Sequence, residues 1–196
     1  MLLAPWPHLH SLALQNLQHR RLVLYIDYEY NKDMNEHLLP IVQKTLNDHD
    51  MKYEVFECNP DFADTTAFCK EYGFSEDQSA NTIILASRKV EPTKYAVCVV
   101  LATTKLDVNK KARSLMDVRK LSFADGETTL KLTGMMIGGV VAVGINNLPI
   151  YIDSTVMKQE KVIMGGGNRS TKILLDPKEL LKLPNVEIIE NLALEK

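Results

Sequence analysis

Between Leu132 and Gly144 the chain reads Leu-Thr-Gly-Met-Met-Ile-Gly-Gly-Val-Val-Ala-Val-Gly, with four glycines in eleven residues and only apolar side chains between them. The stretch holds no acid, base or nucleophile. Any chemistry there must come from main-chain N–H and C=O groups, which glycine leaves open to close approach. The alternative is a glycine-bearing strand that bends where two sheets meet. A second run, Gly165-Gly166-Gly167-Asn168-Arg169-Ser170, lies downstream. Successive N–H groups beside a guanidinium suit an anion nest; the alternative is a tight hairpin loop with an arginine in solvent. Asp153 closes the apolar strand Leu148–Asp153 near both runs. It reads as a site carboxylate or as a cap for Ser154 and Thr155.

Other chemistries are excluded by what is missing. No histidine follows His49, so Ser–His and Cys–His pairs are absent from most of the chain. HExxH, GxxxxGK[ST] and a GxGxxG after a strand do not occur. Cys58, Cys69 and Cys98 are odd in number and form no CxxC. We therefore expect no zinc site, no disulfide framework and no cofactor. A reducing cytoplasm is the simplest setting. No apolar run has membrane-spanning length, and no secretory leader is evident.

The net charge of −2 conceals an asymmetry. From Arg88 to Lys120 there are nine basic residues against three acidic ones, so the remainder carries −8. Such a segment is either a phosphate-facing patch or a solvated lysine-rich face.

The elements that must position these groups follow from periodicity. Residues 1–33, with Trp6, two prolines and three histidines, read as an appendage, and 34–196 as the functional domain. Leu38 to Asp48 carries a helical stripe with Pro40 in its first turn. Tyr53–Phe56 reads as a strand, and Asp64-Thr65-Thr66 opens a helix closed by Gly73. Ala80–Ser87 and Tyr95–Ala102 flank a turn at Glu91–Lys94 and form a central hairpin. Asp107 caps a helix burying Val108, Ala112, Leu115 and Met116, with Lys110, Lys111 and Arg113 outward. Lys120–Phe123 is a short strand, and Asp125 caps a helix ending at Gly134. Strands follow at Leu148–Asp153, Lys161–Met164, Lys172–Leu175 and Val186–Ile189, with a helix starting at Asp176-Pro177-Lys178-Glu179. The expected class is α+β, with a mixed, mainly antiparallel, barrel-like sheet flanked by helices.

The order of these motifs resembles the YbaK, or prolyl-tRNA synthetase-associated, editing-domain family. The resemblance rests on Leu106-Asp107-Val108-Asn109-Lys110-Lys111, on Leu-Thr-Gly followed by Gly138-Gly139-Val140, on Leu148–Asp153, on Gly166-Gly167-Asn168-Arg169, and on Asp176–Leu181. It implies hydrolysis of the ester of mischarged tRNA, with the tRNA end and acceptor stem as partner and a synthetase nearby. Neither DNA nor membrane is implied. By the resemblance, Gly138, Gly139, Asp153 and the residue at position 81, here Asn81, are catalytic. Val140, Val141, Ala142, Gly144, Gly166, Gly167 and Arg169 hold the substrate. Met135, Met136 and Ile137 help to shape the amino-acid pocket.

Two departures stand out. Ala142 occupies the place of the loop proline, and Asn81 stands where many members carry a functional lysine before the Thr-Leu-Leu strand. Asparagine keeps hydrogen-bonding capacity without the charge; Lys105 is the candidate to supply it from a neighbouring strand end. Three readings follow: a trans-editing deacylase, a binding module of the same fold without turnover, and a nucleotide-binding domain using the glycine loops.

Overall fold

The computed structural model describes residues 37–196. The expected appendage, residues 1–33, lies outside them. Helix α1 (Pro40–Asp48) has Pro40 at its first position, where no N–H is needed, and buries Val42, Thr45 and Leu46. Helix α2 (Thr65–Tyr72) follows Asp64 and ends at Gly73, whose φ of 74° is a left-handed cap. Helix α3 (Gly126–Thr133) starts where Asp125 accepts a hydrogen bond from the Thr128 N–H at 2.7 Å.

Among the described residues the strands are β1 (Glu54–Glu57), β2 (Ala80–Ser87), β3 (Tyr95–Leu101), β4 (Thr104–Leu106), β5 (Leu121–Phe123), β6 (Ile150–Asp153), β7 (Val162–Gly165), β8 (Thr171–Leu175), β9 (Val186–Ile189) and β10 (Ala193–Glu195). The main sheet runs β5-β2-β3-β6-β9, a second β1-β8-β7, and a third β10-β4. Among the described residues, only β3–β6 and β6–β9 pair as parallel strands. The sheet is thus mixed and mainly antiparallel, as expected, but no closed barrel forms among the described residues. A parallel bridge between Ser79 and Ile163 joins the first two sheets.

Strand β3 is apolar on both faces because both are covered, whereas β2 is covered less completely and carries Asn81 and Thr82 near its start. Ile84, Val97 and Val99 face a core shared with Val141, Ala142, Ile152 and Ile173. Leu85, Ala96 and Cys98 face a second cluster under Ala112 and Met116. A third cluster gathers Cys58, Ala63, Phe68, Cys69 and Ile163.

Three local expectations change. The segment after Asp107 begins as a π-type turn (Val108–Ala112), with Ala112 N–H donating to Asp107 O five residues back at 3.0 Å, before a short helical turn (Arg113–Leu115); the Asp107 carboxylate accepts from the N–H groups of Lys110 and Lys111. The segment after Asp176 is a 3-10 helix, Pro177–Lys182. The glycine stretch after α3 is no bent strand. It is an irregular connection that threads the core, with Met135, Val141, Ala142 and Val143 buried.

Candidate active site

Strand β2 is covered along only part of one edge. Main-chain polar groups point to alternate sides along an antiparallel strand. Ser79 O accepts from Ala102 N on the β3 side, whereas Gln78 O accepts from Ile163 N and Ile84 O from Ala124 N on the other. Residue Thr82 therefore turns its N–H and C=O to that second side. β7 guards the start of the edge and β5 its end, and Thr82 lies between them without a strand neighbour. A cleft of about 320 Å³ opens there. Asn81 and Thr82 line one wall, and Ile137, Gly138 and Val140 the other. Phe123 and Ile137 are exposed apolar groups at its rim, 60% and 54% accessible. The hydroxyl oxygen of Thr82 is buried and meets no partner among the described residues.

At the base of the cleft is Lys172, a residue the sequence reading passed over. It sits in β8 between Phe56 of β1 and Gly165 of β7. Its side chain is buried, yet no carboxylate pairs with it among the described residues. Its Nζ donates to Ala63 O at 2.6 Å and to Gly138 O at 3.0 Å, and stands 5.3 Å from the Phe68 ring centroid. Burial holds its pKa below the ordinary lysine value, against the raising pull of Cys58 and Asp64. The only sequence sign was a lone charge between Thr171 and an apolar run, which an edge strand would equally show.

Asn81 does reach the cleft, where its Oδ1 accepts from the Thr65 hydroxyl at 2.7 Å. Asn81 and Lys172 thus both fasten to Ala63–Thr65, the approach to α2, from different strands.

The two glycine loops are packed back to back. Gly139 donates to Met136 O and accepts from Gly167 N, both at 2.9 Å. A Cβ on Gly139 would overlap the Asn168 carbonyl and come within 2.8 Å of Asn168 Cα. Gly138 has a φ of 91°, and a Cβ there would run into the Arg169 guanidinium. The space for a ligand is on the outer side of Gly138 and Val140, not between the loops.

The second loop packs as a support for the first. Gly166 donates to Thr171 O at 2.9 Å and accepts from Leu39 N at 3.2 Å, and Gly167 packs against Leu39 and Val42. The Arg169 guanidinium donates to Ile137 O at 3.0 Å, to Pro60 O at 2.7 Å and to the Asp64 carboxylate at 3.4 Å. These three bonds brace the loop.

Other expected site residues lie elsewhere. Val141 and Ala142 are core residues, and Gly144 packs against Met135 and Ile41. Met135 is also core, whereas Met136 is exposed. Asp153 is fully buried away from the cleft lining. One of its oxygens accepts from Thr155 N at 2.9 Å and the Thr155 hydroxyl, and the other from Ala193 N at 2.9 Å. It anchors β10 and caps a turn. Lys105 is exposed on β4, in the small sheet with β10, and does not line the cleft.

Residues 59–183 match the aminoacyl-tRNA editing domain family. A solved structure provisionally described as a trans-editing enzyme for prolyl tRNA synthetase is similar at 26% identity and a TM-score of 0.66, covering 78% of this chain and 97% of its own. A scaffold protein from computational epitope grafting gives 26% identity and 0.65, covering 76% and 94%. A hypothetical protein shares the fold alone, at 18% identity and 0.68, covering 76% and 97%. The family match spans more than half of the sequence, and the chain belongs to the aminoacyl-tRNA editing domain family.

Proposed function

We propose that this member of the editing-domain family is a trans-acting deacylase that hydrolyses the ester of mischarged tRNA in the cytoplasm. The observation that carries the reading is the cleft itself. A main-chain wall at Gly138 and Val140 faces the uncovered edge of β2 across a space of about 320 Å³, within the range of small-ligand sites.

The reaction needs little beyond positioning. Water adds to the ester carbonyl carbon, giving a tetrahedral oxyanion. The bond to the ribose oxygen then breaks, the water proton passes to that oxygen, and the free amino acid and the tRNA hydroxyl end depart. Among the described residues, the N–H groups of Gly138 and Val140 meet no protein acceptor. In this reading they and the Asn81 amide are the donors that meet the ester. One such donor supports about 3–4 kcal/mol of transition-state stabilisation. Val140, Ile84 and Met164 enclose the amino-acid side chain, and such a wall excludes by size. The tRNA body lies along the basic segment, where Lys110, Arg113, Arg119 and Lys120 are exposed. Binding is then salt-sensitive.

A second reading, the binding module without turnover, draws on Asn81, which brings no charge and whose Oδ1 is engaged by Thr65. One experiment separates the two. The full chain is incubated with a panel of mischarged tRNAs, including those made by prolyl-tRNA synthetase. Ester loss at least tenfold above spontaneous hydrolysis on one member supports the deacylase. Saturable binding with no acceleration on any member rejects it in favour of the module.

A further inference from the structure

We propose that Lys172 is the positioning cation of this cleft: delivered from β8, its ammonium fixes the Gly138 carbonyl, sets the neighbouring main-chain donors against the ester, and places positive charge beside the growing oxyanion. The inference rests on the deacylase reading above and names a residue that the family motif does not supply.

Three features of the site support it. First, the ammonium is buried with two carbonyl partners and, among the described residues, no carboxylate. Burying an unpaired charge is unfavourable, and a tie between two carbonyls would be served as well by a neutral donor. A site that keeps the charge uses it. Second, an ammonium has three N–H donors, of which Ala63 O and Gly138 O take two. The third is left to the cleft that Lys172 lines. Third, β2 and β8 converge on the same short approach to α2. Asn81 reaches Thr65 with a neutral amide, and Lys172 reaches Ala63 with a charge. The cation is thus present in the cleft even though the position before Thr82 lacks one. Its depressed pKa is consistent with this geometry.

The test uses the full chain and single-turnover hydrolysis of the mischarged tRNA that the wild type clears fastest, with spontaneous loss subtracted at every pH. Lys172→Met is nearly isosteric and uncharged. It is expected to fold, to hydrolyse about a hundredfold more slowly at saturation, and to leave KM nearly unchanged. Adding Asn81→Lys to it, which returns a charge to the same approach, is expected to recover at least tenfold. The wild-type rate is expected to fall with rising pH before the ordinary lysine range, and Lys172→Arg to carry activity to higher pH. A Lys172→Met rate within threefold of wild type overturns the proposal. So does a loss that neither Lys172→Arg nor Asn81→Lys recovers, because a merely structural tie would behave that way. Should Lys172→Met fail to fold, the wild-type and Lys172→Arg pH profiles decide, and coincident profiles overturn it. A wild type that accelerates no ester sinks the deacylase reading instead, and does so before any variant is made.

Discussion

Replacing Gly139 by alanine adds one methyl group at the tightest main-chain approach in the site. The new Cβ would overlap the Asn168 carbonyl and lie 2.8 Å from Asn168 Cα, and these are backbone atoms that cannot swing aside. Ordinary carbon contacts need about 3.5–4.0 Å, so the two loops must part by on the order of 1 Å. The Gly167 N–H bond to Gly139 O, now 2.9 Å, would stretch beyond hydrogen-bonding range. Losing that bond in a buried place costs about 2 kcal/mol, and the overpacking about 2 more. Of a typical stability of about 5–15 kcal/mol, about 4 is a large share. With an ordinary urea slope of about 2 kcal/mol per molar, the midpoint should drop by about 2 M. Gly73→Ala is the control. Gly73 has a φ of 74° but nothing within 4 Å of its Cβ position, so only the left-handed backbone is penalised, by about 1 kcal/mol. Urea unfolding of both variants followed by circular dichroism gives the comparison. Deacylation, measured where both remain folded, should fall at least a hundredfold in Gly139→Ala alone, because the donors beside it shift. A Gly139→Ala protein no less stable than Gly73→Ala would refute the claim that these glycines exist for close loop packing.

Three further outcomes follow from the same geometry. Asp153→Ala should destabilise by about 2–4 kcal/mol, since it strands the Thr155 and Ala193 N–H groups, yet leave kcat of the folded protein at the wild-type value; a selective loss of kcat would return Asp153 to the site. Thr82→Val removes a buried hydroxyl that has no partner among the described residues, so stability should hold or rise by up to about 1 kcal/mol, while KM for the charged tRNA rises about tenfold; an unchanged KM would show that the hydroxyl meets no substrate. Lys172 titrates lower when folded than its ordinary value of 10.5. Below its folded value both states hold the proton and the folded state bears the whole desolvation penalty. Between the folded value and 10.5 the unfolded chain holds more protons, so stability rises with pH. Wild type should therefore gain on Lys172→Met as pH climbs through that window, as read from the difference between their urea curves; a gap that narrows instead would contradict the buried charge.

The elements were legible because their signals are local. Pro40 starts α1, Gly73 and Gly134 end α2 and α3, and the apolar runs flanking Glu91–Lys94 pair as the β2–β3 hairpin. Each depends on backbone angles or hydrogen bonds within a few residues. The 3-10 form after Asp176 and the π-type turn after Asp107 were not legible, since the caps specify where a turn begins and not its pitch.

The site divides in the same way. The sequence by itself determined that Gly138, Gly139 and Val140 form a main-chain element without reactive side chains, and that Asn81 lacks a charge. Tertiary structure alone decided which main-chain groups are free. It tied the Arg169 guanidinium to Ile137, Pro60 and Asp64, set Asp153 to holding β10, and left Lys105 in solvent. It also uncovered the edge of β2 at Thr82 and buried Lys172 beside Gly138. The physical reason is that an open strand edge and a buried charge are properties of pairings between residues far apart in the chain. No window of neighbouring residues records which strand stops short of another, or which lysine loses its water.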